Sequence, residues 1–290
     1  MNSYDLSPKE KNAIQKGTLY IVATPIGNLS DLSERAVHVL SEVDFIAAED
    51  TRNSMRLLSH LNIHKNMVSY FEHNKRTQGA VIADRISAGE SCALITDAGT
   101  PAISDPGEDL VRLCAERNIP VTSIPGSCAA IVALTLSALP TSKFCFEGFL
   151  SADKSERRKR LEELAGERRT VVYHEAPHKL KATLSDMEKI FGGDRKISLC
   201  RELTKLNEEV MRTTLSQAVS YYNENSPRGE YVLVVEGASE IHEADLFWSS
   251  MTVKEHVDHY INCGMEKMDA IKATARDRNV AKNIIYKELL

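Results

Sequence analysis

In the first half of the chain, four short apolar runs are each followed by a turn-rich segment. TLYIVA (18–23) leads into TPIGN, VDFIAAE (43–49) into DTRNS, SCALI (91–95) into TDAGTPAISDPG, and IPVTSI (119–124) into PGSCAA. Short, nearly continuous apolar runs bounded by turn residues are consistent with strands buried on both faces. Helical patterns lie between them. Ala36, Val39, Leu40 and Val43 recur at helical spacing after Asp31 and Glu34, which fit a capping box, and EDLVRLCAER (108–117) is similar. Alternating strands and helices predict a mostly parallel sheet covered on both faces. Such sheets bind ligands at the carboxyl ends of their strands, where the turn-rich segments lie.

The segment TDAGTPAISDPG (96–107) is the densest of these ends. Gly99 and Gly107 permit close backbone approach, and Pro101 and Pro106 stiffen the loop. It is not GxGxxG, and it lacks the Lys-Ser/Thr of a P-loop, which argues against a triphosphate. Alone, it is equally compatible with a structural role. Its companions ATPIGN (23–28), AEDTR (48–52) and IPGSCAA (124–130) follow neighbouring strands in the same way. Together they would line a crevice with backbone groups and small side chains. That suits a flat, polar, weakly charged ligand such as an adenosine-containing cofactor.

Around 140–156 a proline and polar residues break the pattern, which places a boundary between an N-terminal α/β domain at 17–142 and a second, smaller α/β domain at 143–238. The second holds the helix SERRKRLEELAGE, the strand TVVYHE (170–175), the helix HKLKATLSDMEKIF, the strand KISLCREL (196–203), the segment VMRTTLSQAVSYY and the strand GEYVLVVEG (229–237). An acidic linker, ASEIHEADLF, follows. Residues 246–290 read as three short helices, either a helix-turn-helix-like extension or a small cap on the main body.

The formal net charge of -5 excludes a strongly basic protein but not a local basic face. The six cysteines form no CxxC pair and read as small buried hydrophobes in a reducing compartment. The polar N-terminus, and the lack of an apolar run of about 18 residues, lead us to expect a soluble, cytoplasmic protein.

HEAPH (174–178) matches the zinc-protease pattern H-E-x-x-H, which requires both histidines on one helix face. Here His174 and Glu175 end a strand and Pro177 interrupts any helix through them, so the histidines would not converge. His174 or Glu175 would instead face the crevice from a strand end. Arg201, Lys205 and Arg212 could form a basic wall there or a solvated surface, and EHNKR (72–76) has the same ambiguity. SERRKR (155–160) reads as the exposed face of a helix.

GTLYIVATPIGNLSDLSERAVHVLSEVDFIAAEDTR, DAGTPAISDPG, FEGFL, RELTKLNEEV and GEYVLVVEG resemble the tetrapyrrole-methylase superfamily, and within it the branch of small-subunit ribosomal RNA (cytidine-2′-O)-methyltransferases. The resemblance covers about residues 17–237, and the C-terminal helices resemble the small RNA-contacting extension of that branch. It implies a two-domain fold with S-adenosylmethionine in the cleft between the domains, a homodimer, and small-subunit rRNA, within the 30S particle, as partner. Carried over by motif, the cofactor-binding positions are Pro25, Ala98, Gly99, Thr100, Ile103, Cys128, Ala129, Glu175 and Leu203. Two departures stand out: IPGSCA replaces the usual IPGPSA, and a histidine, His174, precedes the retained glutamate.

The implied reaction is in-line methyl transfer to a ribose 2′-hydroxyl, which needs no metal. Candidates near the crevice are Glu49, Asp50, His73, Glu175 and Lys205, with Glu175 as base or orienting group and Lys205 stabilising developing negative charge. Arg52, His73, Arg201 and Arg212 are candidates for RNA contacts. Aromatic content is only 6%, so RNA recognition is expected to rest on phosphates and shape. The alternatives are methylation of a small tetrapyrrole-like substrate, a non-catalytic RNA-binding assembly factor and, more distantly, a zinc hydrolase.

Overall fold

The computed structural model describes residues 13–239, 247–278 and 280–289. The polar segment 1–12 and most of the acidic linker, 240–246, lie outside the described residues. The chain divides into two compact units between Ala238 and Ser239.

The larger unit holds two sheets. The first contains β1 (Leu19–Val22), β2 (Phe45–Ala48), β3 (Met67–Ser69), β4 (Cys92–Ile95) and β5 (Val121–Ile124), in the order β3-β2-β4-β1-β5 with every pair parallel. Alternate residues point to opposite faces. Leu19, Ile21, Phe45 and Leu94 pack against Ile82 and Ile86 of α3 (Lys75–Ser87) and Leu110 of α4 (Gly107–Glu116). Tyr20, Val22, Ile46 and Ile95 pack against Ala36 and Leu40 of α1 (Glu34–Glu42) and Leu58 of α2 (Thr51–His60). Burying each Leu or Ile contributes roughly 1.5–3 kcal/mol.

The expected Asp31–Glu34 capping box does not form. Asn28 caps a 3-10 turn at Leu29–Asp31, which takes Asp31 out of position, and the Ser33 hydroxyl caps α1 by accepting from the Ala36 N–H at 3.1 Å.

The second sheet is mixed. It contains β6 (Phe144–Phe149), β7 (Thr170–Glu175), β8 (Lys196–Arg201), β9 (Glu209–Thr214) and β10 (Tyr231–Val235), in the order β6-β7-β10-β8-β9. β6 and β7 are parallel and the other pairs antiparallel. One face carries α6 (Lys154–Leu164), α7 (Pro177–Phe191) and α8 (Leu215–Glu224) through Leu161, Leu184 and Leu215. The other is covered by α5 (Ala129–Leu136), whose Ala130, Ala133 and Leu134 pack on Val172, Val232 and Val234. The helix that follows the last strand of the first sheet thus forms part of the core of the second. VMRTTLSQAVSYY divides between β9 and α8, where the Thr214 hydroxyl caps the helix.

The charge run SERRKR is not wholly a solvated face. Arg157 is buried and donates through Nε and Nη2 to Asp186 Oδ2 at 3.0 and 2.7 Å. Arg158 Nε donates to the other carboxylate oxygen at 2.7 Å. Burial alone would raise the Asp186 pKa, but hydrogen bonds from Arg158 and Arg157 outweigh it and hold the carboxyl below its ordinary range.

The smaller unit contains α9 (Val253–Asn262), α10 (Lys267–Asp277) and α11 (Lys282–Glu288), packed around Val257, Ala270, Ile271 and Ile285. Thr252 and Glu255 form a capping box at the start of α9. No helix among the described residues is long and apolar enough to cross a membrane.

Candidate active site

A cleft of about 580 Å³ opens where the strand ends of the two sheets face each other. The first half contributes Ile26 after β1, Glu49 after β2, and Ala98 and Ile103 after β4. The second contributes Glu175 at the end of β7 and Leu203 after β8. Because β10 runs antiparallel to β7 and β8, its amino end reaches the same edge and adds Glu230 and Tyr231.

The loops hold one another. Thr24 N–H donates to Gly99 O at 2.9 Å, and Gly99 N–H returns a bond to Thr24 O at 3.1 Å. The Thr100 hydroxyl donates to Ser127 O at 2.9 Å, joining the loop after β5. Gly99 has φ +86, a conformation that strains any residue with a side chain. A Cβ on Gly27 would lie 2.5 Å from Lys205 Cγ, so this loop presses directly on the one after β8. Ala102, Ser104, Glu202 and Thr204 all have positive φ, which is uncommon for non-glycine residues, and they concentrate beside the cleft. Asp105 stabilises its side by accepting from Ala102 and Gly107 N–H at 3.0 and 2.7 Å.

Of the residues selected from sequence, Ala98, Ile103, Ala129, Glu175, Leu203, Lys205 and Glu49 line the cleft. Pro25, Gly99, Thr100 and Cys128 are in the same loops, beside the lining residues. Arg52, Asp50, His73, Arg201 and Arg212 are not among the lining residues. Arg52 pairs with Asp50 at 2.8 Å, and the Arg52 hydrogen bonds hold the Asp50 carboxyl down at about 2. His73 meets the Phe71 ring edge-on. Arg201 pairs with Glu209 at 3.0 Å, while Arg212 donates to Leu136 O from Nε and Nη2.

Glu175 is buried and fully engaged. Its Oε1 accepts from Ala176 N–H at 2.8 Å and lies 3.3 Å from Lys179 Nζ, while Oε2 accepts from the Thr183 hydroxyl at 2.5 Å. Lys205 Nζ lies 2.9 Å from both Glu202 Oε1 and Glu230 Oε2. Burial opposes its charge, but the two carboxylates outweigh that and raise its pKa. Glu49 Oε2 accepts from the Thr96 hydroxyl at 2.6 Å. His174 lines the cleft with its Nε2 buried and unpartnered; burial lowers its pKa and favours the neutral ring. His174 ends a strand whereas His178 lies in α7, so the H-E-x-x-H pattern does not sit on one helix.

Sequence reasoning missed Phe149, Glu230 and Tyr231. Strand-end reasoning finds loops that follow parallel strands, whereas Glu230 and Tyr231 sit where an antiparallel strand begins. For Phe149, the FEGFL motif was the available signal.

The chain belongs to the Tetrapyrrole (Corrin/Porphyrin) Methylases, whose family model matches residues 18–219, the stretch that holds the parallel sheet, most of the mixed sheet and most of the cleft. Solved structures show the same fold. Cobalt precorrin-4 methyltransferase superposes with a TM-score of 0.57 at 15% identity, covering 80% of this chain and 98% of that one. Uroporphyrin-III C-methyl transferase from Thermus thermophilus, complexed with S-adenyl homocysteine, gives a TM-score of 0.54 at 14% identity, covering 76% of this chain and 97% of that one.

Within the family, the chain is similar to proteins named ribosomal RNA small subunit methyltransferase I. It is 48% identical over 272 residues to the one from Halalkalibacterium halodurans, covering 93% of this chain and 94% of the relative. It is 46% identical over 272 residues to the one from Bacillus subtilis strain 168, covering 93% of each.

Proposed function

We propose that this protein transfers a methyl group from S-adenosylmethionine to the 2′-hydroxyl of a cytidine in small-subunit ribosomal RNA, acting on the 30S particle, in the cytoplasm and as a homodimer. The cleft carries this reading, and the similarity to ribosomal RNA small subunit methyltransferases I supports the choice of substrate.

The residues present fit the cofactor. The cleft volume of about 580 Å³ is within the range of small-molecule sites, roughly 300–1,000 Å³. Its lysine, Lys205, is already held by two carboxylates, which disfavours a triphosphate, while Glu49 and Asp97 suit a ligand carrying positive charge. Ala98, Ile103, Ala129 and Leu203 would form its walls. Pro25, Gly99, Thr100 and Cys128 would shape the loops behind them. When bound, S-adenosylmethionine supplies a methyl group already activated by its positively charged sulfur.

The chain must align the ribose hydroxyl with that methyl and exclude water, an orientation effect worth about 7–11 kcal/mol at best. Glu175, with both oxygens engaged, orients the start of α7 and the cleft wall rather than abstracting a proton. Glu49, whose Oε2 accepts from the Thr96 hydroxyl in the cleft lining, would accept the hydroxyl proton. Lys205, paired with Glu202 and Glu230, would stabilise the negative charge that develops on the hydroxyl oxygen, and Arg52, His73, Arg201 and Arg212 would meet RNA phosphates.

The test is methyl incorporation from labelled S-adenosylmethionine into 30S subunits of a strain lacking the gene, followed by nucleoside mass spectrometry. The expected product is a 2′-O-methylated cytidine. Cofactor binding without label in the RNA would overturn the substrate, and small tetrapyrroles would be tested next.

A further inference from the structure

The second sheet contains one irregularity at the cleft. β6 pairs with β7 in regular register from Phe144↔Thr170 to Phe146↔Val172, then skips Glu147, so that Gly148 faces Tyr173 and Phe149 faces His174. In an uninterrupted strand, residues three apart point to opposite faces. The bulge cancels this alternation and turns Phe149 onto the same face as Phe146, and both rings meet His174 edge-on, at 5.3 and 5.1 Å. Gly148 makes the turn with φ +64, and a Cβ there would lie 3.1 Å from Ser104 Oγ in the loop after β4.

The re-aimed ring is not buried. Phe149 is 59% exposed while lining the cleft; Tyr231, the other Phe, Tyr or Trp among the lining residues, is 3% exposed. Lys179 Nζ lies over the Phe149 ring, 5.5 Å from its centroid, and helps to fix its plane. A bulge, a positive-φ glycine and a cation–π contact thus hold a large apolar ring, more than half exposed, against the cleft. Its own packing does not account for that exposure.

We propose that Phe149 is the stacking platform for the base of the nucleotide to be methylated, which enters the cleft unstacked from its RNA neighbours. This inference rests on the function proposed above and deepens it. A nucleotide that enters the cleft with its ribose leaves the stack of its neighbours, and an exposed aromatic ring lining the cleft would replace the lost stacking. His174 and Lys179 act as positioning residues for the ring. Recognition then combines phosphate and shape contacts with one aromatic contact, despite the low aromatic content of the chain.

The test measures kcat/KM for 30S subunits, together with S-adenosylhomocysteine affinity by calorimetry, for wild type, F149A, F149L and F149Y. Stacking predicts that F149A and F149L lose about tenfold to a hundredfold in kcat/KM for RNA. F149Y should stay near wild type, and all four should bind S-adenosylhomocysteine within about twofold. F149L keeps apolar bulk, so it decides the matter should F149A fold poorly. Wild-type kinetics in F149L would overturn the proposal. So would a parallel loss of S-adenosylhomocysteine affinity, which would place the ring in the cofactor seat. If wild type binds S-adenosylhomocysteine but methylates no RNA, the proposed function itself fails, a result distinct from either.

Discussion

Replacing Glu175 tests whether the cleft wall depends on a satisfied buried carboxylate. The side chain is 1% exposed and Lys179 is 17% exposed, so their 3.3 Å pair is poorly screened. In Glu175→Ala, the Thr183 hydroxyl and the Ala176 N–H lose their acceptor, and Lys179 loses its carboxylate, keeping its 3.1 Å bond to Leu150 O and its contact with the Phe149 ring. Hydrogen bonds to a charged group are worth about 1.5–3 kcal/mol each, and removing one partner of a buried pair costs about 3–5 kcal/mol. Retention of these Lys179 contacts places the expected loss at the lower end, about 3 kcal/mol. Glu175→Gln keeps an oxygen for Ala176 and an amide that the Thr183 hydroxyl can accept from, so it should lose only about 1 kcal/mol. Thr183→Val should cost about 1–3 kcal/mol by leaving Oε2 without its donor. Urea unfolding measures all three. A Glu175→Ala protein within about 0.5 kcal/mol of wild type would refute the reasoning, because the loss of one partner of a buried pair is expected to cost several-fold more.

Further outcomes are expected elsewhere in the larger unit. Gly27→Ala, whose Cβ would meet Lys205 Cγ at 2.5 Å and Thr204 Oγ1 at 2.8 Å, should displace the loop after β8 and weaken S-adenosylhomocysteine binding about tenfold in calorimetry. Asp186→Ala should cost roughly 3–5 kcal/mol in urea unfolding by stranding the buried Arg157. Because the folded-state pKa of Asp186 is depressed, its contribution is complete above the unfolded carboxylate value of about 3.9 and disappears as pH falls through the folded value. Asp186→Asn should therefore flatten the acid limb of a stability–pH curve. His174 also has a lowered folded pKa, so its neutral ring contributes fully above an unfolded value of about 6.5 and loses that contribution as pH falls. His174→Phe should remove part of the loss that sets in as pH falls below about 6.5 in thermal melts at stepped pH.

The first sheet was readable because β1, β2 and β4 are short apolar runs buried on both faces, and β5, a partly buried edge strand, is still a short run bounded by turn residues. β3 was not, since Met67–Ser69 is a partly buried three-residue strand at the edge. β6 was hidden by its position directly after Pro140 and the polar residues that follow it. The cleft was legible wherever a loop follows a strand, which located Glu175 and the loops that hold Ala98, Ile103 and Ala129, residues that the family resemblance then singled out. It was illegible where antiparallel pairing brings in a strand's beginning, as with Glu230 and Tyr231. Local patterns do not encode which charges pair. Lys205 meets Glu230 from 25 residues away, Arg157 meets Asp186 from 29 residues away, and Arg212 is tied to a helix end 76 residues earlier.

The most direct measurement is a calorimetric titration of S-adenosylhomocysteine into wild type and Ala98→Trp. Ala98 lines the cleft and is exposed, so an indole there would fill the cavity without disturbing the core. The expected result is one molecule bound per wild-type chain and at least a hundredfold weaker binding in Ala98→Trp, with unchanged melting of the ligand-free proteins. Equal binding by both would show that the cofactor sits elsewhere and would contradict the assignment of the cleft.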